Sequence, residues 1–292
     1  QIFKSITFTA KNRATKHLKV NGKSRLGIEY SKDTRAVIFS PESIDLITSG
    51  PDLRRAEIDN LLCLKSKEYH KLFLEFNNTL KNRNKYLKSI SKNYPNLTQI
   101  NDKVYEFWTV RFLENADAIY QARILAINKI SELSNNIAPV YHFGSNIFEL
   151  KYIQKSLSSN SSENYRDTLS HVIKSNFLKE SVNGTSLYGP HRDDISVLLN
   201  DFTLRDFGSR AQQRIASFII KLAEIEFLEI DNDKKEIDNL LLLDDLPSEL
   251  DELHIRNIEV ELQKSKLQII LTATSDKYFS EEFKKNAQLI YI

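Results

Sequence analysis

The apolar run Leu240-Leu241-Leu242-Leu243 ends in two adjacent carboxylates, Asp244 and Asp245, followed at once by Leu246-Pro247-Ser248-Glu249-Leu250-Asp251. A buried strand that delivers acids at its carboxyl end puts charge where open α/β sheets hold ligands. In phosphoryl-transfer ATPases the first acid holds Mg2+, directly or through water, and the second orients or deprotonates the attacking water. Asp244 is therefore the metal candidate and Asp245 the catalytic candidate. A solvated acidic turn after a core strand is the competing explanation; the Ser-Glu-Leu-Asp at fixed spacing counts against it. A second segment, Phe207-Gly208-Ser209-Arg210-Ala211-Gln212-Gln213-Arg214, opens an apolar helix. Ser209 is a good N-cap, and free helix N–H groups beside a hydroxyl suit a phosphate. Taken alone, the segment is equally well explained as ordinary capping.

Other segments carry weaker signals. His191, in Tyr188-Gly189-Pro190-His191-Arg192-Asp193-Asp194, suggests a metal ligand, but no matching cluster stands nearby and a turn with a structural Arg–Asp pair is preferred. Gly22-Lys23-Ser24 imitates the end of a P-loop, G-x-x-x-x-G-K-[ST], yet His17 stands where the first Gly belongs and the flanks read strand–turn–strand. No other segment fits that consensus. Basic residues cluster twice: Lys4, Lys11, Arg13, Lys16, Lys19, Lys23 and Arg25 precede the first acid, and Lys81, Arg83, Lys85, Lys88 and Lys92 fall in an acid-free stretch. In a chain of net charge +2 such local runs suggest a phosphate-backbone footprint; a solvated helix face is the alternative for the second. Trp108 sits on an apolar stripe and reads as core.

The elements that must position these residues alternate along the chain. Residues 1–40 read as β, with Asn21-Gly22 as a hairpin turn and Arg35–Phe39 as a buried strand. From about 52 to 135 the spacing is helical: Tyr69, Leu72, Phe73, Phe76, Leu80, Leu87 and Ile90 form one stripe, and Phe112, Ala116, Ile119, Ala126 and Ile130 another. Two long helices with a short link predict an antiparallel arm. Residues 146–152 alternate, 156–164 read as a loop, and a short helix runs to about 180. Ile195–Leu199 turns at Asn200-Asp201, a helix runs from Ser209 to about Glu229, and Gln268–Leu271 is a further strand. Apolar strands bounded by helices predict a sheet covered on both faces. The expected fold class is α/β, with a lobe over residues 1–60 and 183–292 split by a helical arm over 61–182.

Composition bounds the rest. The 292 residues are 41% hydrophobic and 27% charged, which excludes disorder and low complexity. No apolar run spans a membrane and no signal peptide is recognisable. One Cys excludes a disulfide framework. A cytoplasmic protein is expected. The sequence holds no Met, begins with Gln and has only 7 Gly, so a fragment lacking its natural start is expected.

A helix opening on Ser209 and followed by an acidic strand end is the plan of ABC-type ATPases, and the chain resembles the RecF family, SMC-like members of that class. Leu187 through Asp194 matches the family's characteristic block (His191, Arg192, Asp193), and Phe207 through Arg214 its signature motif (Ser209, Arg210, Gln212, Gln213). Leu241–Asp245 matches its Walker B strand, and Ser248 to Asp251 its D-loop. Ser40 and Glu42 resemble the Q-loop region, with Arg54 and Arg55 downstream. Thr272 and Thr274 stand where other ABC ATPases carry a switch His, and Leu80–Asn84 resembles the start of the arm. Arg210 and Ala211 depart from the family's usual Gln and Gly. The family's P-loop segment precedes the matched region.

The resemblance implies an ATP- and Mg2+-dependent homodimer with Ser209 on the γ-phosphate in trans. It also implies weak ATP hydrolysis, binding at single-strand/duplex junctions through residues such as Lys81, Arg83, Lys85 and Lys88, and recombinase loading with RecO and RecR. A role in recombinational repair and the SOS response, with nucleoid association, comes with it. Without a P-loop this chain alone is expected to be inactive as an ATPase. A naturally degenerate, non-catalytic DNA-binding or scaffold module is the alternative.

Overall fold

A computed structural model describes residues 4–11, 13–24, 34–93, 103–141, 147–155, 164–230, 238–249, 252–265 and 267–291. Two compact units emerge: residues 1–41 with 228–292, and residues 42–227. These contact boundaries differ from the expected lobe and arm limits because the helix Pro51–Lys65 packs on the two long arm helices and the strand Asp194–Leu199 pairs with Phe148–Ile153.

In the first unit, β1 (Lys4–Lys11) pairs antiparallel with β2 (Arg13–Val20), and β2 with β3 (Lys23–Ser24). Asn21 and Gly22 have φ of 49° and 77°, the doubly positive pair of a two-residue hairpin. Lys23 and Ser24 therefore belong to a hairpin, not to a phosphate loop. Three parallel strands form a second sheet in the order β4 (Thr34–Phe39), β8 (Asp238–Leu243), β9 (Gln268–Leu271). Phe39, Leu243 and Leu271 are in register at its carboxyl edge. The crossover from β8 to β9 carries α9 (Leu246–Glu249) and α10 (Glu252–Lys264).

Val37, Phe39, Leu241 and Leu243 are buried. The neighbouring positions point the other way, where Ile38 is 52% and Ile270 49% exposed. Among the described residues the sheet is thus fully covered on one face and only partly on the other, where Leu240 and Leu242 are half-buried, and the expectation of two covered faces is corrected to that extent. An unbroken apolar run reports that both side-chain rows are apolar, not that both are covered.

The second unit begins with a 3-10 turn, Pro41–Ile44, then α1 (Asp45–Thr48) and α2 (Pro51–Lys65). Its arm is the antiparallel pair α3 (Lys67–Asn93) and α4 (Lys103–Ile137). The apolar stripes meet between them, with Phe76 stacked on Phe112 at 5.8 Å. An antiparallel sheet, β5 (Phe148–Ile153), β6 (Asp194–Leu199) and β7 (Phe202–Thr203), packs against α4 through β5. The segment expected as one short helix is two, α5 (Tyr165–Ser175) and α6 (Phe177–Asn183). Gly184 caps α6 in the left-handed region, φ 63°, a conformation glycine adopts without penalty. A short helix α7 (Leu204–Phe207) leads into α8 (Arg210–Glu229). The predicted turn at Asn200-Asp201 is present, both residues having positive φ. Most of the predicted loop lies outside the described residues.

Candidate nucleotide-facing motifs and their scaffold

The carboxyl edge of the parallel sheet gathers Ser40, Asp244, Asp245 and Thr272 within the first unit. Backbone bonds extend the ladder past the strands: Asp244 N–H donates to Phe39 O at 2.8 Å, and Thr272 N–H to Leu243 O at 2.9 Å. The Thr272 hydroxyl donates to Asp244 Oδ1 at 2.6 Å and accepts the Asp245 N–H at 3.0 Å. Asp245 has φ 47°, a left-handed conformation that Asp tolerates better than most residues. Asp244 is exposed and Asp245 half-buried.

Two adjacent carboxylates are hard oxygen donors and suit Mg2+, which keeps several waters and takes the remaining ligands from phosphate. Among the described residues no group of three or more His, Cys, Asp or Glu could hold a metal ion by itself. Thr274 lies exposed two residues beyond Thr272. Asp251 and the Ser248 side chain are outside the described residues.

The second motif opens α8. Ser209 Oγ accepts the Gln212 N–H at 3.2 Å while Gln212 Oε1 accepts the Ser209 N–H at 2.9 Å. This is a reciprocal capping box. It uses a lone pair of Ser209 Oγ and leaves the hydroxyl hydrogen to donate elsewhere. Gly208 is required by space: a Cβ there would stand 2.6 Å from the Leu204 carbonyl oxygen. Ala211 lies inside the helix, so the usual Gly is not needed for a left-handed turn. Arg210 is exposed.

Gln213 is a correction. It is buried, and its Nε2 donates to Leu204 O at 2.8 Å and Arg205 O at 3.3 Å. It fastens α7 to α8 rather than facing a nucleotide, because a position four residues beyond the cap turns toward the core.

The block around His191 is a structural junction. Arg54 on α2 holds Asp194 with Nε and Nη2 at 2.8 and 3.0 Å. Burial pushes Asp194 up, but the Arg54 bonds outweigh it and hold the carboxyl below its usual range. Arg55 donates to the Asp193 carbonyl at 2.5 Å, and Tyr152 to the Asp193 carboxylate at 2.9 Å. Burial raises Asp193 to about 6. Arg123 on α4 makes a two-pronged pair with Asp59 at 2.8 Å and reaches Pro190 O at 2.7 Å.

His191 packs beside the stacked Phe76 and Phe112 rings, with ring centroids 6.3 and 5.8 Å away, and its Nε2 lies 3.1 Å from Ser186 O. Burial lowers it to about 4, the Ser186 bond opposing and nearby arginines assisting. The exposed Arg192 reaches Ser186 O at 3.3 Å. The Arg–Asp pair expected within the turn takes another form: Asp194 pairs with Arg54 of α2, Arg55 bonds the Asp193 backbone carbonyl, and the turn's own Arg192 donates to Ser186 O.

On α3, Lys81, Lys85 and Lys88 are exposed. At 100° per residue they fall within an arc of about 60°. Arg83 is the second correction: it is fully buried, bonded to Glu180 at 2.6 Å, Ser186 at 2.6 Å and Thr109 at 3.2 Å. It falls on the apolar stripe of Phe76, Leu80 and Leu87, so it cannot reach a DNA backbone. The Arg123–Asp59 pair was also missed; Arg123 shares the stripe of Ile119 and Ala126, and a cation on such a stripe signals a buried partner. Ser40 is half-buried and Glu42 exposed at the start of the 3-10 turn.

A parallel sheet with an acid pair at its carboxyl edge, a capped signature helix and a helical arm define an ABC-type ATPase lobe with an inserted arm. No protein-family model matches the chain. Over 276 residues it is 31% identical to the DNA replication and repair protein RecF of Geotalea uraniireducens, covering 93% of this chain and 71% of that one. It is 32% identical over 286 residues to RecF of Staphylococcus epidermidis, covering 95% and 74%. A solved structure of the recombination mediator protein RecF-ATP in the RecFOR pathway superposes with TM-score 0.77 at 27% identity, covering 94% of this chain and 71% of that one. The chain belongs to the RecF family.

Proposed function

We propose that this chain supplies the acid-pair and signature surfaces of an ATP-dependent recombination mediator acting at single-strand gaps. Asp244 would hold Mg2+, and Asp245 would orient the attacking water. Bound Mg2+ would neutralise charge developing on the phosphates. Ser209 donates its hydroxyl hydrogen to the γ-phosphate held by a second copy, and Arg210 adds positive charge beside it. Closure of two copies over ATP clamps DNA, and RecO and RecR act with it in loading recombinase. The single observation that carries the reading is the acid pair at the sheet edge, fixed by Thr272.

The proposal assigns the lysine face of α3 to the DNA backbone. The seven residue steps of helix from Lys81 to Lys88 rise about 10 Å, enough to follow successive phosphates. Since no segment of this chain matches the P-loop consensus, it is expected to show no ATP turnover by itself; turnover abolished by Asp245→Asn would contradict that. The DNA reading is tested by comparing affinity for gapped duplex, intact duplex and single strand at one salt concentration. Tightest binding to the gapped duplex supports it, and equal affinity for all three overturns it.

A further inference from the structure

Thr272, at the sheet edge, touches both acids. Its hydroxyl spends its hydrogen on Asp244 Oδ1 and a lone pair on the Asp245 N–H. The first bond restrains the rotation of the exposed Asp244 carboxylate through one oxygen, Oδ1. The second holds the Asp245 amide while that residue sits at φ 47°, outside the common backbone basins. β8 supplies the acids and β9 supplies their orientation, through the register Leu243↔Leu271.

We propose that Thr272 is a positioning residue for the acid pair: its hydroxyl, not a contact with phosphate, sets the geometry that Asp244 and Asp245 present to a divalent cation. The inference rests on the metal–nucleotide reading above, and it departs from the switch role that the family resemblance suggests for this position. Partners that orient a metal's ligands typically contribute ten- to a hundredfold in metal affinity. Thr272 is exposed, so its substitution leaves the core intact.

The test compares the parent with Thr272→Val, which keeps the shape and loses the hydroxyl, and Thr272→Ser, which keeps the hydroxyl and loses the methyl. Amide hydrogen exchange is read at Asp245, and Mn2+ alone is titrated as the probe cation. Exchange at Asp245 should quicken at least tenfold, and Mn2+ binding weaken about tenfold or more, in Thr272→Val, with Thr272→Ser like the parent. Parental exchange in Thr272→Val, or Thr272→Ser failing as the valine variant does, overturns the proposal. A parent that takes up no Mn2+ counts against the metal reading, while the exchange comparison still decides the positioning role.

Discussion

Arg83 and Glu180 both have no exposed side-chain surface. Removing one leaves an uncompensated buried charge, which costs about 3–5 kcal/mol. Arg83→Ala should therefore lower the unfolding free energy by that amount, whereas exposed Lys85→Ala should stay within about 0.5 kcal/mol. Equal denaturation midpoints for the two variants would contradict the buried pair. His191 gives a pH-dependent counterpart. Its folded pKa, about 4, lies below its ordinary 6.5, so over that window the unfolded chain binds more protons and stability falls as pH falls. Asp193, raised to about 6 from 3.8, works in the opposite sense: its contribution falls as pH rises through that range. A difference measurement separates them. The stability of the parent minus that of His191→Gln should drop as pH goes from 6.5 to 4, by urea denaturation; parallel curves would show that His191 is not held neutral.

Elements explain which residues were readable in advance. On α3 the helical period alone separates Lys81, Lys85 and Lys88 from Arg83, because Arg83 shares a face with Phe76, Leu80 and Leu87. Its partner was not readable: Glu180 stands 97 residues away and is set by how α6 docks on α3. The Asp244–Asp245 pair and the Ser209 cap were legible because strand end and helix start are local signals. The bonds of Thr272 depend on β8–β9 register, which no local pattern specifies. Exposure of Ile38 and Ile270 was hidden for a similar reason, since periodicity reports polarity and not what lies opposite. At the α7–α8 junction, a methyl on Gly208 would collide with Leu204 O, so Gly208→Ala should lower the thermal midpoint more than Ser209→Ala, which loses only a cap worth about 1 kcal/mol. A smaller drop for Gly208→Ala would contradict the close approach.

The whole molecule consists of two compact units, one carrying the acid edge and the other the signature helix, the arm and the lysine face. Contacts across the second unit knit sequence-distant parts: α2 to β6 through Arg54–Asp194, and α4 to α2 through Arg123–Asp59. A scaffold so tied presents the α3 face as a rigid surface, and on the proposed DNA reading its exposed lysines would bind through counterion release, with a steep salt dependence. The most direct measurement is the affinity for gapped duplex DNA across a salt series, for the parent and for the Lys81→Gln, Lys85→Gln, Lys88→Gln triple variant. Weaker binding with a salt slope shallower by roughly 2–3 is predicted; an unchanged affinity and slope in the triple variant would contradict the assignment of this face to DNA.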